Sequence, residues 1–167
     1  SNRAVYAFSG VDAASASTTL YAPLLRRNYF GTTGVSLVNP GSAPATVTIN
    51  YFNDPASPSK VPAGAKETFT VPANSSVAPF QGSSAILPGG TGFSNNGWFG
   101  SAKITSSQPI VAIVNDAAFN GSYASINTSA AYNAVTAADG ATKIYAPLVR
   151  RNQTANRLTT GIQVQNL

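Results

Sequence analysis

The sequence has no cysteine, no methionine and no histidine. Without cysteine there is no disulfide and no thiolate nucleophile. Without histidine the commonest general base is gone, and with both absent so are the usual zinc ligands. Charge is scarce as well: charged residues make up 9% of the chain, against about a quarter in ordinary soluble domains. A glycoside hydrolase working with a carboxylate pair would have to draw on Asp12, Asp54, Glu67, Asp116 and Asp139 alone. Asp54 sits in an Asn-Asp-Pro turn, and Glu67 is expected on the solvent face of a strand. No cluster resembles a calcium loop. The expectation is a protein that is not an enzyme and holds no metal or cofactor.

Long apolar runs are missing too. None approaches the roughly 18 to 20 residues that a spanning helix needs. The chain opens at Ser1 with neither a charged n-region nor an apolar h-region, which fits a mature or trimmed start. Disulfide-free extracellular proteins exist, and a chain without Cys or Met lacks the most oxidation-labile side chains. An extracellular or cell-surface location is therefore expected.

Ser, Thr, Asn, Gly, Ala and Pro take the place of the missing charges. That composition disfavours long surface helices, which keep themselves soluble with Glu and Lys at helical spacing. It suits short strands and turns with neutral hydroxyls and amides outside. The net charge is +5. The only basic doublets are Arg26-Arg27 and Arg150-Arg151, and neither sits among the interleaved aromatics of a nucleic-acid binder. Nucleic acid is not an expected partner; weak attraction to an anionic polysaccharide or an acidic cell surface is.

The two doublets belong to one motif that occurs twice. Leu20-Tyr21-Ala22-Pro23-Leu24-Leu25-Arg26-Arg27-Asn28 returns as Ile144-Tyr145-Ala146-Pro147-Leu148-Val149-Arg150-Arg151-Asn152. After a change in turn length, Thr32-Thr33-Gly34-Val35-Ser36-Leu37-Val38-Asn39 returns as Thr159-Thr160-Gly161-Ile162-Gln163-Val164-Gln165-Asn166. A weaker match runs backward, Ala4-Val5-Tyr6 against Ala130-Ala131-Tyr132. The chain thus reads as one repeat over 20–143, the first two strands of a following repeat over 144–167, and the end strand of a preceding repeat or a linker over 1–19. Two strands cannot bury a core alone, so 144–167 needs the rest of a longer chain or a neighbouring subunit. Head-to-tail assembly with strand exchange is the expected consequence, with other copies of the chain as partners.

Alternation of β-branched or aromatic with polar residues predicts strands over 45–52 and 66–71, and further strands are expected over 34–39, 76–80, 98–105, 109–115, 130–135 and 143–149, the continuous apolar run 110–114 suggesting a strand buried on both faces. Ser106-Ser107-Gln108 is expected to join two of them. Short helical turns are expected over 13–17 and 137–141, and a long loop over 81–97. Short strands separated by Gly, Pro and Asn indicate an all-β antiparallel sandwich. Two segments, 34–49 and 100–115, resemble the strand-turn-strand units of immunoglobulin-like β-sandwich tandem repeats in large bacterial cell-surface and extracellular fibre proteins. The resemblance implies a stalk, fibre or coat role and brings no catalytic residues with it.

Four sets of candidate site residues remain. Tyr21, Arg26 and Arg27, with Tyr145, Arg150 and Arg151, are candidates for contacts between repeats or subunits, through backbone carbonyls or an Asp. The competing reading of the arginines is surface charge that blocks edge pairing. Trp98, with Phe99 beside it after Asn-Asn-Gly, is a candidate sugar-stacking ring of an adhesin or carbohydrate-binding module, set against the commoner role of a core tryptophan. Asn74, Asn120, Asn127 and Asn152 lie in N-x-Ser/Thr sequons and are candidate glycosylation sites in loops.

Overall fold

The computed structural model describes residues 10–89, 95–119, 126–145, 149 and 161–166. Seven strands carry the fold: β1 (Ser17–Arg27), β2 (Gly31–Asn39), β3 (Ala45–Asn53), β4 (Lys66–Val71), β5 (Ser75–Val77), β6 (Trp98–Phe119) and β7 (Ile126–Asn133). Three single-turn 3-10 segments occur at Ala13–Ser15, Gln81–Ser83 and Ala137–Asp139. The described residues contain no α-helix, and none of their helices is long and apolar enough to cross a membrane. The predicted helical turns near 13 and 137 are present in this shortened form. Asp12 caps the first, and a Thr136–Asp139 capping box closes the third.

All strand pairs are antiparallel, as the alternating pattern predicts, but the two segments expected on either side of Ser106-Ser107-Gln108 form one strand. β6 runs 22 residues without a turn. Its first half pairs with β3 on one edge and β1 on the other; its second half pairs with β2 and β7. Pro109 explains how it continues. The ladder to β3 ends at Ser106, and that to β2 begins at Val111. Pro109 therefore stands at a crossover where no partner needs the N–H it lacks. The outcome is one continuous seven-stranded sheet that curls in a barrel-like manner.

Period-2 alternation fills the interior. On β3, Val47, Ile49 and Tyr51 are buried; on β2, Val35 and Leu37; on β6, Trp98, Ala102, Ile104, Ile110 and Val114. Each fully buried Val, Leu or Ile contributes about 1.5–3 kcal/mol relative to exposure. Glu67 corrects a sequence expectation. It lies opposite Ile49, on the same strand face as Phe69 and Val71, and its Oε2 accepts a 2.7 Å hydrogen bond from the Tyr51 hydroxyl. It does not sit on the solvent face, because residues two apart share a face.

The outward face of β1, β6, β3 and β4 explains how so few charges suffice. Thr19 pairs with Thr105, Thr105 with Thr48, and Thr48 with Thr68. A row of threonines thus crosses four strands, with Thr48 and Thr68 Oγ1 atoms 3.2 Å apart. Hydroxyls and methyls hydrate this face while retaining high strand propensity.

Candidate functional site

The repeated motif forms β1, the following turn and β2. β1 alternates until Ala22, then slips: its register on β6 shifts between Ala22 and Leu25. Pro23 has no N–H to offer there. Leu24, displaced from the ladder, is satisfied from another strand. Its N–H donates to the Tyr132 hydroxyl at 3.1 Å, and that hydroxyl donates to the Leu24 carbonyl at 2.5 Å. Burial pushes the Tyr132 hydroxyl well above the usual tyrosine range, with the nearby Asp116 carboxylate acting in the same direction.

Beyond the bulge, the two arginines point to opposite faces, as consecutive strand residues must. Arg26 forms a bidentate pair with Asp116, Nε to Oδ1 and Nη2 to Oδ2, both at 2.6 Å, with each side chain about 15% exposed. This fork-to-carboxylate geometry is the strong form of an ion pair. Arg27 lies opposite Trp98 and donates from Nη1 to the carbonyls of Ser84 and Leu87, which anchors the loop over the end of the core. Both sets of partners belong to the first copy's own domain, so Arg26 and Arg27 act as an internal clamp. Tyr21 exchanges backbone hydrogen bonds with Val135, and its ring lies 5.9 Å from Lys103 Nζ.

The turn after the clamp is irregular. Asn28 adopts φ 53° and Phe30 φ 49°. Asn tolerates the left-handed region; a bulky aromatic residue rarely enters it, at a cost on the order of 1 kcal/mol. Asn28 is buried, its N–H and Oδ1 both bonded to Thr32 Oγ1. Phe30 points out and is 52% exposed. Tyr29 stands between Phe30, at 5.0 Å edge-to-face, and Phe99, at 4.5 Å between ring centroids. The chain before β6 passes directly under this turn: a Cβ on Gly97 would fall 2.5 Å from Tyr29 N. Asn95 and Asn96, just before Gly97, are exposed, and the Asn96 carbonyl accepts from the Ser59 hydroxyl at 2.6 Å.

Trp98 cannot serve as a sugar platform. Its ring is fully buried, stacks edge-on against Tyr51 at 5.7 Å, and donates from Nε1 to Asn53 Oδ1 at 3.0 Å. It faces inward because it shares a face with Gly100, Ala102 and Ile104, and its neighbour Phe99 takes the outer side. Sequence reasoning passed over Tyr29 and Phe30; the only signal was an aromatic pair in a turn segment where polar residues are usual.

The second copy of the motif meets a different fate. Leu25, Val35 and Leu37 are 0% exposed, whereas their counterparts Val149, Ile162 and Val164 are 57%, 61% and 77% exposed. Ile144 and Tyr145 are exposed too, and no strand is formed at 143–145, where one was expected. Gln163 and Gln165 reach back to Asp54 and to the Ala102 carbonyl. Arg150, Arg151, Asn120 and Asn152 lie outside the described residues, as do residues 1–9. Asn74 is exposed at the β4–β5 turn with φ 51°. Asn127 does not lie in a loop: its backbone is within β7, where the register to β6 shifts.

Each of the five carboxylates has a structural partner. Asp12 caps a turn at Ala14 N; Asp54 accepts from Ala56 N and Gln163; Glu67 accepts from Tyr51; Asp116 pairs with Arg26; Asp139 accepts from the Thr136 N–H and hydroxyl. Those last two bonds hold the Asp139 carboxyl below its usual range. No three His, Cys, Asp or Glu converge on a metal-sized site among the described residues.

No family model and no curated protein matches the chain. The crystal structure of Thermotoga maritima 1070 is similar in fold, with a TM-score of 0.55 and 11% identity over 71% of this chain and 93% of that one. At that identity the likeness extends to the fold alone: the chain is an antiparallel all-β domain.

Proposed function

We propose that the chain is a non-catalytic structural unit of an extracellular filament or surface fibre, built head to tail from tandem copies of this β domain. The observation that carries the reading is the contrast between the two copies of one motif. In the first, the apolar residues are sealed against β6; in the second, the same positions face solvent. A sequence that keeps its strand pattern, its arginine doublet and its apolar positions without burying them is a strand pair awaiting its β6. Either a following repeat of the same chain or a neighbouring copy supplies that strand. In this reading the curled sheet is the immunoglobulin-like sandwich unit of the array, with β6 spanning both layers. Further support for a structural role is that every carboxylate is engaged in capping or pairing. Asn74 is the best-presented glycosylation site in the described part of such a surface module.

Amide hydrogen exchange tests this directly, because protection reports burial and strand pairing segment by segment. In the 167-residue chain, amides of 161–166 exchange fast while those of 31–39 are protected. Appending residues 41–143 after Leu167, which stands at the position of Pro40, completes the second repeat, and 161–166 then become as protected as 34–39. Unchanged fast exchange in the extended chain removes the proposal, and so does strong protection of 161–166 in a monomer of the original chain.

A further inference from the structure

Residues 161–166 touch the first domain with the side that a strand of this motif keeps outside its own core. In the first copy Val35 and Leu37 point into the core, and Ser36 and Val38 lie half-buried on the other face. Their counterparts alternate in step: Ile162 and Val164 are exposed, whereas Gln163 and Gln165 are half-buried. An apolar segment that merely collapsed onto the nearest surface would do the reverse and bury its isoleucine and valine. The two half-buried positions are also where the copies differ in chemistry, Ser36 and Val38 giving way to Gln163 and Gln165. Ser36 is bonded within its own domain, its hydroxyl accepting from Asn115 Nδ2 at 3.4 Å. The glutamines reach across instead. Gln163 Nε2 donates to Asp54 Oδ2 at 3.1 Å, while Asp54 Oδ1 accepts from the Ala56 N–H at 2.8 Å. Gln165 Nε2 donates to the Ala102 carbonyl at 3.3 Å, beside the point where β1 slips out of register with β6.

We propose that successive repeats pack face to face: the outer face of β2 in the second repeat lies on the outer face of β1, β6 and β3 in the first, and Gln163 and Gln165 fix the register. The inference rests on the array reading and says which surfaces meet in it. The cleft between the two is lined by Tyr21, Phe52, Asp54 and Lys103 on the first repeat and by 163–166 on the second. Phe52 is 50% exposed, an apolar ring that the completed second repeat covers. The occupant of this face is the next copy of the domain, because that copy's own β2 segment is already seated here with its core-forming side chains left free. Amide donors to a carboxylate and a carbonyl hold the junction without burying a second ion. Attachment through one chain makes the docking intramolecular, so it needs far less area than the roughly 800 Å² per side that free partners use.

The test is a distance measurement between spin labels in the chain extended by residues 41–143. The sequence has no cysteine, so Thr68→Cys and the same substitution at its counterpart in the appended repeat supply the only two thiols. Thr68 is exposed on β4, away from the glutamine contacts. Double electron–electron resonance should give one narrow distance distribution. Gln163→Ser/Gln165→Val, which installs the first-copy residues and so keeps a pattern that already folds, should at least double its width. Hydrogen exchange on the same samples separates docking from folding: 161–166 should stay protected in both. A broad distribution with the glutamines in place, or an unchanged width after their replacement, overturns the interface and leaves the array standing so long as 161–166 are protected. Fast exchange of 161–166 in the extended chain overturns both.

Discussion

Leu37 and Val164 occupy the same position of the repeated motif, and truncating each to alanine measures what the surrounding structure does with it. Leu37 is fully buried on β2, next to β6 and β5. Leu37→Ala loses the transfer free energy of the removed atoms and leaves a cavity in a strand pair that cannot close up, at a cost of about 3 kcal/mol within a general range of about 2–5. For a domain of this size each kcal/mol lowers the melting temperature by about 2–4 °C, so a drop of about 6–12 °C is expected. Val164 is 77% exposed, and Val164→Ala should change stability by less than about 0.5 kcal/mol, as surface substitutions do. Circular dichroism melts of both variants and the wild type, with urea titrations to compare slopes, read the difference. Repeating both substitutions in the chain extended by residues 41–143 should make Val164→Ala costly in the second repeat. Comparable losses at the two positions in the original chain would refute the contrast on which the array reading rests.

Asp116→Asn leaves the mostly buried Arg26 guanidinium without its counter-charge and should cost about 2–3 kcal/mol, less than a fully buried pair because both groups retain some solvent. Arg26→Met/Asp116→Leu should recover part of that loss in urea titration; a single variant as stable as wild type would show that the pair contributes nothing. Stability should also fall in alkali. Tyr51 and Tyr132 are held above the ordinary tyrosine value of 10.0, mainly by burial. The folded state therefore keeps protons that the unfolded chain releases, and stability, fully present below about pH 10, declines as pH rises beyond it. Tyr51→Phe/Tyr132→Phe should flatten that decline between pH 10 and 11.5, and an equally steep decline in the double variant would show that other groups cause it.

The repeat, the strand pattern and the shortage of catalytic side chains were legible in the residues themselves, because each depends only on local order along the chain. Alternation over 45–52 and 66–71 marks β3 and β4 almost to the residue, since a strand with one buried face must repeat every second position. The same rule, applied to Glu67, Phe69 and Val71, already places Glu67 inward; only the habit of sending carboxylates to solvent argued otherwise. What the sequence could not settle depends on which strands meet. Whether Ser106-Ser107-Gln108 bends back or runs on depends on the partners available at Pro109, and these come from β1, β2 and β3, far away in the chain. Whether Trp98 or Phe99 faces outward turns on a one-residue choice of register that reverses every side chain. Leu25, Val35 and Leu37 and their repeat counterparts Val149, Ile162 and Val164 have opposite exposure because burial belongs to a strand's neighbours. The sequence of a strand states only which face it would bury; tertiary structure alone supplies the β6 that covers the first and is absent from the second.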